Sequence, residues 1–216
     1  MGLVPLEEKD RALDVLLQDI QGPNQGHLST GIFGTKFMLQ ALADLGRADV
    51  AYEVVNQPTF PGWGYMLKNG ATTLWEHWEF SDNTFSHNHP MFGSVSEWFY
   101  KTLAGISPAA DAVGFDKIII RPQPVGELKW VKASYDSVHG KVVSDWSREA
   151  GRFRLHTRIP IGAIATVFLP AKNAAQVRES GRSLNRVAGA RLLRMENENA
   201  VIAVVAGEYD FASEIK

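Results

Sequence analysis

The amino-acid sequence predicts an α+β chain in two parts, helices first and then an antiparallel β-sandwich. Two observations carry this. Apolar residues recur at helical spacing through the first part of the chain, whereas beyond it they alternate with polar ones. Between the two regimes, the segment SPAADAVGFD at 107–116 reads as a domain boundary, separating a helical part, 1–110, from a strand part, 111–216.

The helical elements follow from local signals. Over 5–21, Pro5 suits a first turn, Glu7 and Glu8 favour the positive end of the helix dipole, and Gly22-Pro23 stops the run. Leu6, Leu13, Leu16, Leu17 and Ile20 share one face. After the polar loop GPNQGHLSTG, a second helix is expected over 32–45 with Gly46 as its stop, and a third over 47–56, ended by Pro58. Their short connections suggest antiparallel hairpins. A further helix is expected from Ser94, with Ser94 and Glu97 as a capping box and Val95, Trp98, Phe99, Thr102, Leu103 and Ile106 on one face.

The strand part is announced most clearly at 152–159. There Phe153, Leu155, Thr157 and Ile159 alternate with Arg152, Arg154, His156 and Arg158, a half-buried strand with a basic outer face. Further strands are expected at 118–120, 130–135, 141–147, 163–169 and 201–205, spaced and turned as in a sandwich.

Composition limits what such a chain does. Its 216 residues are 45% hydrophobic and 21% charged, which is globular rather than disordered. A net charge of −2 favours neither nucleic acid nor an anionic membrane as partner, and no apolar run reaches membrane-spanning length. The start, MGLVPLEEKDR, does not read as a signal peptide. Cysteine is absent, so disulfides and thiolate metal sites are excluded. The cytoplasm is the default expectation for the compartment, with secretion as the alternative, since a mature secreted protein without cysteine would read the same way.

The chemistry concentrates in 61–106. This stretch holds Trp63, Trp75, Trp78 and Trp98 together with Glu76, His77, His87 and His89, the aromatic walls and placed polar groups of a small-molecule site, a sugar site in particular. Glu76 lies in WEHW, where indoles exclude water from a carboxylate and suit it to proton transfer; the bland alternative is a solvent-facing glutamate beside core tryptophans. Glu79 and Asp82 read as surface charge. His87 and His89, two apart, could join Glu76 or His77 on a metal, but no fuller ligand motif supports one, and hydrogen-bonding histidines are expected instead. Trp63, flanked by Pro61, Gly62 and Gly64, is a platform candidate with core packing as its equal rival. No G-x-S-x-G nucleophile or phosphate-binding glycine motif occurs, and no cofactor is implied.

Three runs in order, HLSTGIFGTKFMLQALADLGRADVAY, YMLKNGATTLWEHW and NHPMFGSVSEWFYKTLAGI, resemble bacterial α-L-rhamnosidases of glycoside hydrolase family 78. GFDKIIIRPQP and ASYDSVHGKVVSDW look like the start of that family's C-terminal β-sandwich. The resemblance implies the last helices of an (α/α)6 barrel followed by the sandwich, and inverting hydrolysis of terminal α-L-rhamnosides. It implies that Glu76 matches the general base that activates water and that His89 matches a histidine contacting the sugar. Trp63 and Trp78 fall in matching motifs as substrate-binding candidates.

The family's general acid has no match here, and an inverting enzyme needs two carboxyl groups. The chain therefore reads as a C-terminal portion, inactive alone, whose partner is an L-rhamnose-containing glycoside. A non-catalytic carbohydrate-binding or assembly unit is the alternative. Apolar faces at Leu13, Leu16, Leu17 and Ile20, and at Phe33, Phe37 and Leu45, are expected to be uncovered and to favour a homo-oligomer.

Overall fold

The computed structural model describes residues 4–82 and 85–215. It divides the chain into two compact units, Met1–Trp98 and Phe99–Lys216.

In the first unit, a 3₁₀ turn, Leu6–Glu8, leads into α1 (Lys9–Gln21), followed by α2 (Ile32–Asp44) and α3 (Ala48–Val55). Gly46 has φ +79°, its N–H donates to Ala43 O, and Arg47 N–H reaches back to Leu42 O. This is the Schellman closure that the Leu-Gly-Arg sequence suggests. It folds α3 back on α2, burying Leu39, Leu42, Val50, Ala51 and Val54.

α4 (Trp63–Lys68) has no periodic signal and is absent from the sequence expectations. Its start depends on Gly64, where a Cβ would meet Gln57 O at 2.4 Å. The glycine permits a close backbone approach rather than a loop.

α5 (Ser94–Trp98) corrects another expectation. A 3₁₀ turn at Met91–Gly93 already begins the helical segment, so Ser94 has helical angles and its buried hydroxyl has no hydrogen-bond partner. Ser94 therefore caps nothing. Capping needs a residue outside the helix whose side chain can reach back.

The second unit opens with a π-helical turn, Phe99–Leu103. Its strands are β1 (Ile106–Pro108), β2 (Lys117–Ile120), β3 (Trp130–Ser137), β4 (Gly140–Glu149), β5 (Arg152–Ile159), β6 (Ile164–Pro170), β7 (Arg178–Glu179), β8 (Arg182–Ser183), β9 (Ala190–Glu196), β10 (Asn199–Val204) and β11 (Gly207–Glu214). They form a five-stranded sheet, β1-β2-β6-β10-β9, and a six-stranded sheet, β3-β4-β5-β11-β7-β8. Pairing is antiparallel except between β2 and β6, which run parallel with Ile118 opposite Ala165. The purely antiparallel expectation is corrected there. Strand spacing in a sequence does not specify which strands become neighbours.

Both sheets contribute to one core. Ile118, Ile120, Val167 and Ile202 come from one side; Val142, Trp146, Phe153, Leu155 and Phe211 come from the other. On β5 the alternation reads as expected, since Phe153, Leu155, Thr157 and Ile159 are buried. His156 pairs with Asp210 of β11 at 2.9 Å. β9, β11 and the short strands were not expected. β9 and β10 join through Asn197 and Glu198, both at positive φ, the left-handed pair of a two-residue hairpin without the usual glycine.

Among the described residues no helix is long and apolar enough to cross a membrane.

Candidate functional site

Glu76 belongs to an irregular hairpin. Glu76 N–H donates to Ser86 O at 2.8 Å, His89 N–H donates to Leu74 O at 2.8 Å, and the Thr73 hydroxyl donates to His87 O. The arms 73–76 and 86–89 are thus tied like a ladder, though neither is a regular strand. The glutamate side chain is held from the same place, for Ser86 N–H donates to Glu76 Oε2 at 2.9 Å. A carboxylate half exposed and gripped through one oxygen keeps its other oxygen for a second partner, such as water.

Behind Glu76 stands a cluster of aromatic rings. Trp78 stacks on Phe92 with centroids 3.8 Å apart, and Trp63 meets Trp78 edge-on at 5.0 Å. The indole N–H of Trp78 donates to Thr30 O at 2.8 Å, and that of Trp63 donates to Phe92 O at 3.1 Å. Every polar atom of these rings is satisfied inside, as buried indoles require. Trp75 is also buried, against Phe80 at 5.2 Å.

The cluster forms one wall of a cleft of about 210 Å³, lined by Glu76, His77, Trp78 and Phe85 together with Ile32 and Phe33 at the start of α2. His77 and Phe85 stack at 5.0 Å with planes 13° apart. The structure therefore brings Glu76 and Trp78 to one cleft. Trp63 lies behind Trp78, 7% exposed, and does not line it. His89 joins the hairpin at Leu74, two residues before Glu76, and its Nδ1 accepts from Met91 N–H at 3.3 Å.

The other histidines have structural partners. His87 donates Nε2–H to Ser81 O at 2.6 Å and stacks on Phe80. His27 donates Nδ1–H to Asn24 O, leaving Nε2 to pair with the Thr59 hydroxyl at 2.8 Å. Among the described residues no three His, Asp or Glu side chains group closely enough to hold a metal ion. Sequence reasoning missed Ser86, Phe85 and Phe33. Their proximity to Glu76 arises from contacts nine to forty-three residues apart, which leave no local pattern.

Residues 1–103 match the bacterial alpha-L-rhamnosidase 6 hairpin glycosidase domain, and residues 105–183 match the bacterial alpha-L-rhamnosidase C-terminal domain. The chain matches the C-terminal part of bacterial α-L-rhamnosidases.

An alpha-L-rhamnosidase of Streptomyces avermitilis is 36% identical over 98% of this chain, and one of Formosa agariphila is 29% identical over 96%. The chain spans only 20% and 22% of those rhamnosidases. Among solved structures, the alpha-L-rhamnosidase from Dictyoglumus thermophilum superposes with TM-score 0.87 at 37% identity, covering 99% of this chain and 24% of its own. The S. avermitilis rhamnosidase complexed with L-rhamnose gives TM-score 0.89 at 35% identity, covering 99% and 20%.

Proposed function

We propose that the helical unit supplies the water-activating half of an inverting α-L-rhamnosidase site, with Glu76 as general base. The supporting observation is Glu76 at a cleft with one carboxylate oxygen held by Ser86 N–H, within a chain that matches rhamnosidases along nearly its whole length. In this reading the free oxygen takes a proton from the water attacking the anomeric carbon. Trp78 walls the cleft on the sugar side, Trp63 fixes Trp78 from behind, and His89 contacts a sugar hydroxyl. The helices are the last of an (α/α)6 barrel.

Inversion needs a carboxylic acid about 6.5–9.5 Å from the base, on the far face of the glycosidic bond. The nearby Glu79 and Asp82 are exposed and line no part of the cleft, so the proton donor comes from outside these 216 residues. A polypeptide of these residues alone is then nearly inactive on an aryl α-L-rhamnoside. Turnover close to that of a full-length rhamnosidase would overturn this. In an enzyme carrying this chain together with the acid, Glu76→Gln lowers kcat by about 10²–10⁴-fold with KM little changed. A loss below about tenfold would make Glu76 a positioning group.

A second reading concerns assembly. Phe33 and Phe37 on α2 are 74% and 67% exposed, more than single surface residues of a lone unit require. We propose that the 216-residue polypeptide covers them by self-association. Light scattering coupled to gel filtration tests it, and a monodisperse monomer at micromolar concentration is the contrary result.

A further inference from the structure

The outer face of the six-stranded sheet holds a feature that the Glu76 reading leaves unused. A cleft of about 1090 Å³ opens where the start of β3, the end of β4 and the start of β5 meet the loop before β3 and the β4–β5 turn. Its most prominent side chain is Trp130, an indole 62% exposed. The neighbouring tryptophan of the same hairpin, Trp146, is buried and donates its N–H to Leu103 O at 2.7 Å. A large aromatic ring held in water on a rigid strand gains burial when a ligand covers it, at little cost in ordering.

Register gives the ring its company. Trp130 pairs with Ser147, and Ser147 pairs with Arg154, so the three stand in a row across the sheet. Adjacent strands lie about 4.8 Å apart, which separates the indole and guanidinium rows by about 10 Å, roughly two pyranose rings. The small Ser147 between them leaves that span open.

Charge narrows the ligand. The cleft gathers Lys129, Arg148, Arg152 and Arg154 against two carboxylates, Glu127 and Glu149, although the whole chain carries −2. Among the described residues no ion pair takes up Lys129, Arg152 or Arg154. Arg148 spends its donors on backbone carbonyls, with Nε on Leu128 O at 2.7 Å and Nη2 on Val125 O at 3.2 Å and on Gly126 O. It thereby fixes the loop that delivers Trp130 without neutralising its own charge.

We propose that this cleft binds an acidic oligosaccharide, one sugar ring stacked on Trp130 and a carboxylate of the next held by Arg154. Indole faces stack on the apolar face of a pyranose, and a guanidinium fork matches a carboxylate. The proposal is independent of Glu76, because its test uses no rhamnoside and no residue of the helical unit.

The test is a titration of the whole chain, followed through the indole N–H resonances, with trigalacturonic acid as probe and maltotriose as the neutral counterpart. Trigalacturonic acid is expected to shift the Trp130 resonance with a dissociation constant of about millimolar or tighter, leaving Trp146 in place as a reference for folding. Arg154→Gln in the same titration, and Trp130→Ala followed through the backbone amide resonances of Ser147 and Arg154, each weaken binding by about tenfold, and high salt weakens it in the unaltered chain. Equal affinity for maltotriose would overturn the acidic class. No binding, or unchanged affinity in both variants, would overturn the site. Concentration-dependent shifts of Trp130 without any sugar would assign the face to self-association and also overturn it.

Discussion

The hairpin that holds Glu76 and the β-sandwich solve the same problem in different ways. In the sandwich, backbone ladders do the fixing: β4, β5 and β11 pair along their lengths, and side chains need only alternate. The Glu76 hairpin has few backbone ties. It is held by a threonine hydroxyl, a carboxylate on an N–H, a histidine on a carbonyl, and a stack of rings. Both units leave some large apolar side chains mostly in water, Phe33, Phe37 and Leu67 in the helical unit and Trp130, Val138 and Ile161 in the sandwich. Ladders make a scaffold tolerant of its surface. Side-chain ties make a site that responds to single atoms.

The largest effect expected from that contrast lies in the sandwich core. Trp146→Ala removes a buried ring and its hydrogen bond to Leu103 O and should cost about 3–5 kcal/mol in denaturant melts. A loss below about 1 kcal/mol would show that the sheets close over the gap.

Trp78→Phe tests the hairpin side. It keeps a ring against Phe92 but removes the shorter of two hydrogen bonds to Thr30 O, leaving the one from the Thr35 hydroxyl at 3.3 Å, at a cost of about 1 kcal/mol. If the stack rather than the hydrogen bond holds Trp78, the variant melts like the parent.

Phe37→Ser probes the uncovered helix face. In the polypeptide alone, stability should change by no more than about 0.5 kcal/mol, as at other exposed positions. Self-association should weaken at the same time. Marked destabilisation of a monomer would mean that Phe37 is packed in solution.

The smallest effect concerns Asp49. The Arg47 guanidinium, bonded to it at 2.9 and 3.0 Å, holds its carboxyl below the usual range. A depressed folded value gives stability present above the unfolded value, near pH 4, and lost as pH falls through the folded one. The carboxylate is 54% exposed and screened, so Arg47→Met should cost only about 0.5 kcal/mol at pH 7. That cost should vanish in the acid range. A pH-independent cost would point to lost packing of the arginine stem.

The sequence by itself determined whatever rests on local periodicity. α1, α2 and α3 follow from spacing and stop signals, and β5 from strict alternation, because a helix or strand face is written into neighbouring residues. Glu76 stood out for the same reason, as a carboxylate set between two indoles. Only the tertiary structure decided that β2 runs parallel to β6, that the helical segment starts at Met91 rather than at Ser94, and that α4 forms at all. It also decided that Trp78 lines the cleft while Trp63 stands behind it, and that Ser86 grips Glu76. Each of these depends on groups distant in the chain competing for one place, and a competition between distant groups leaves no period in the sequence to read.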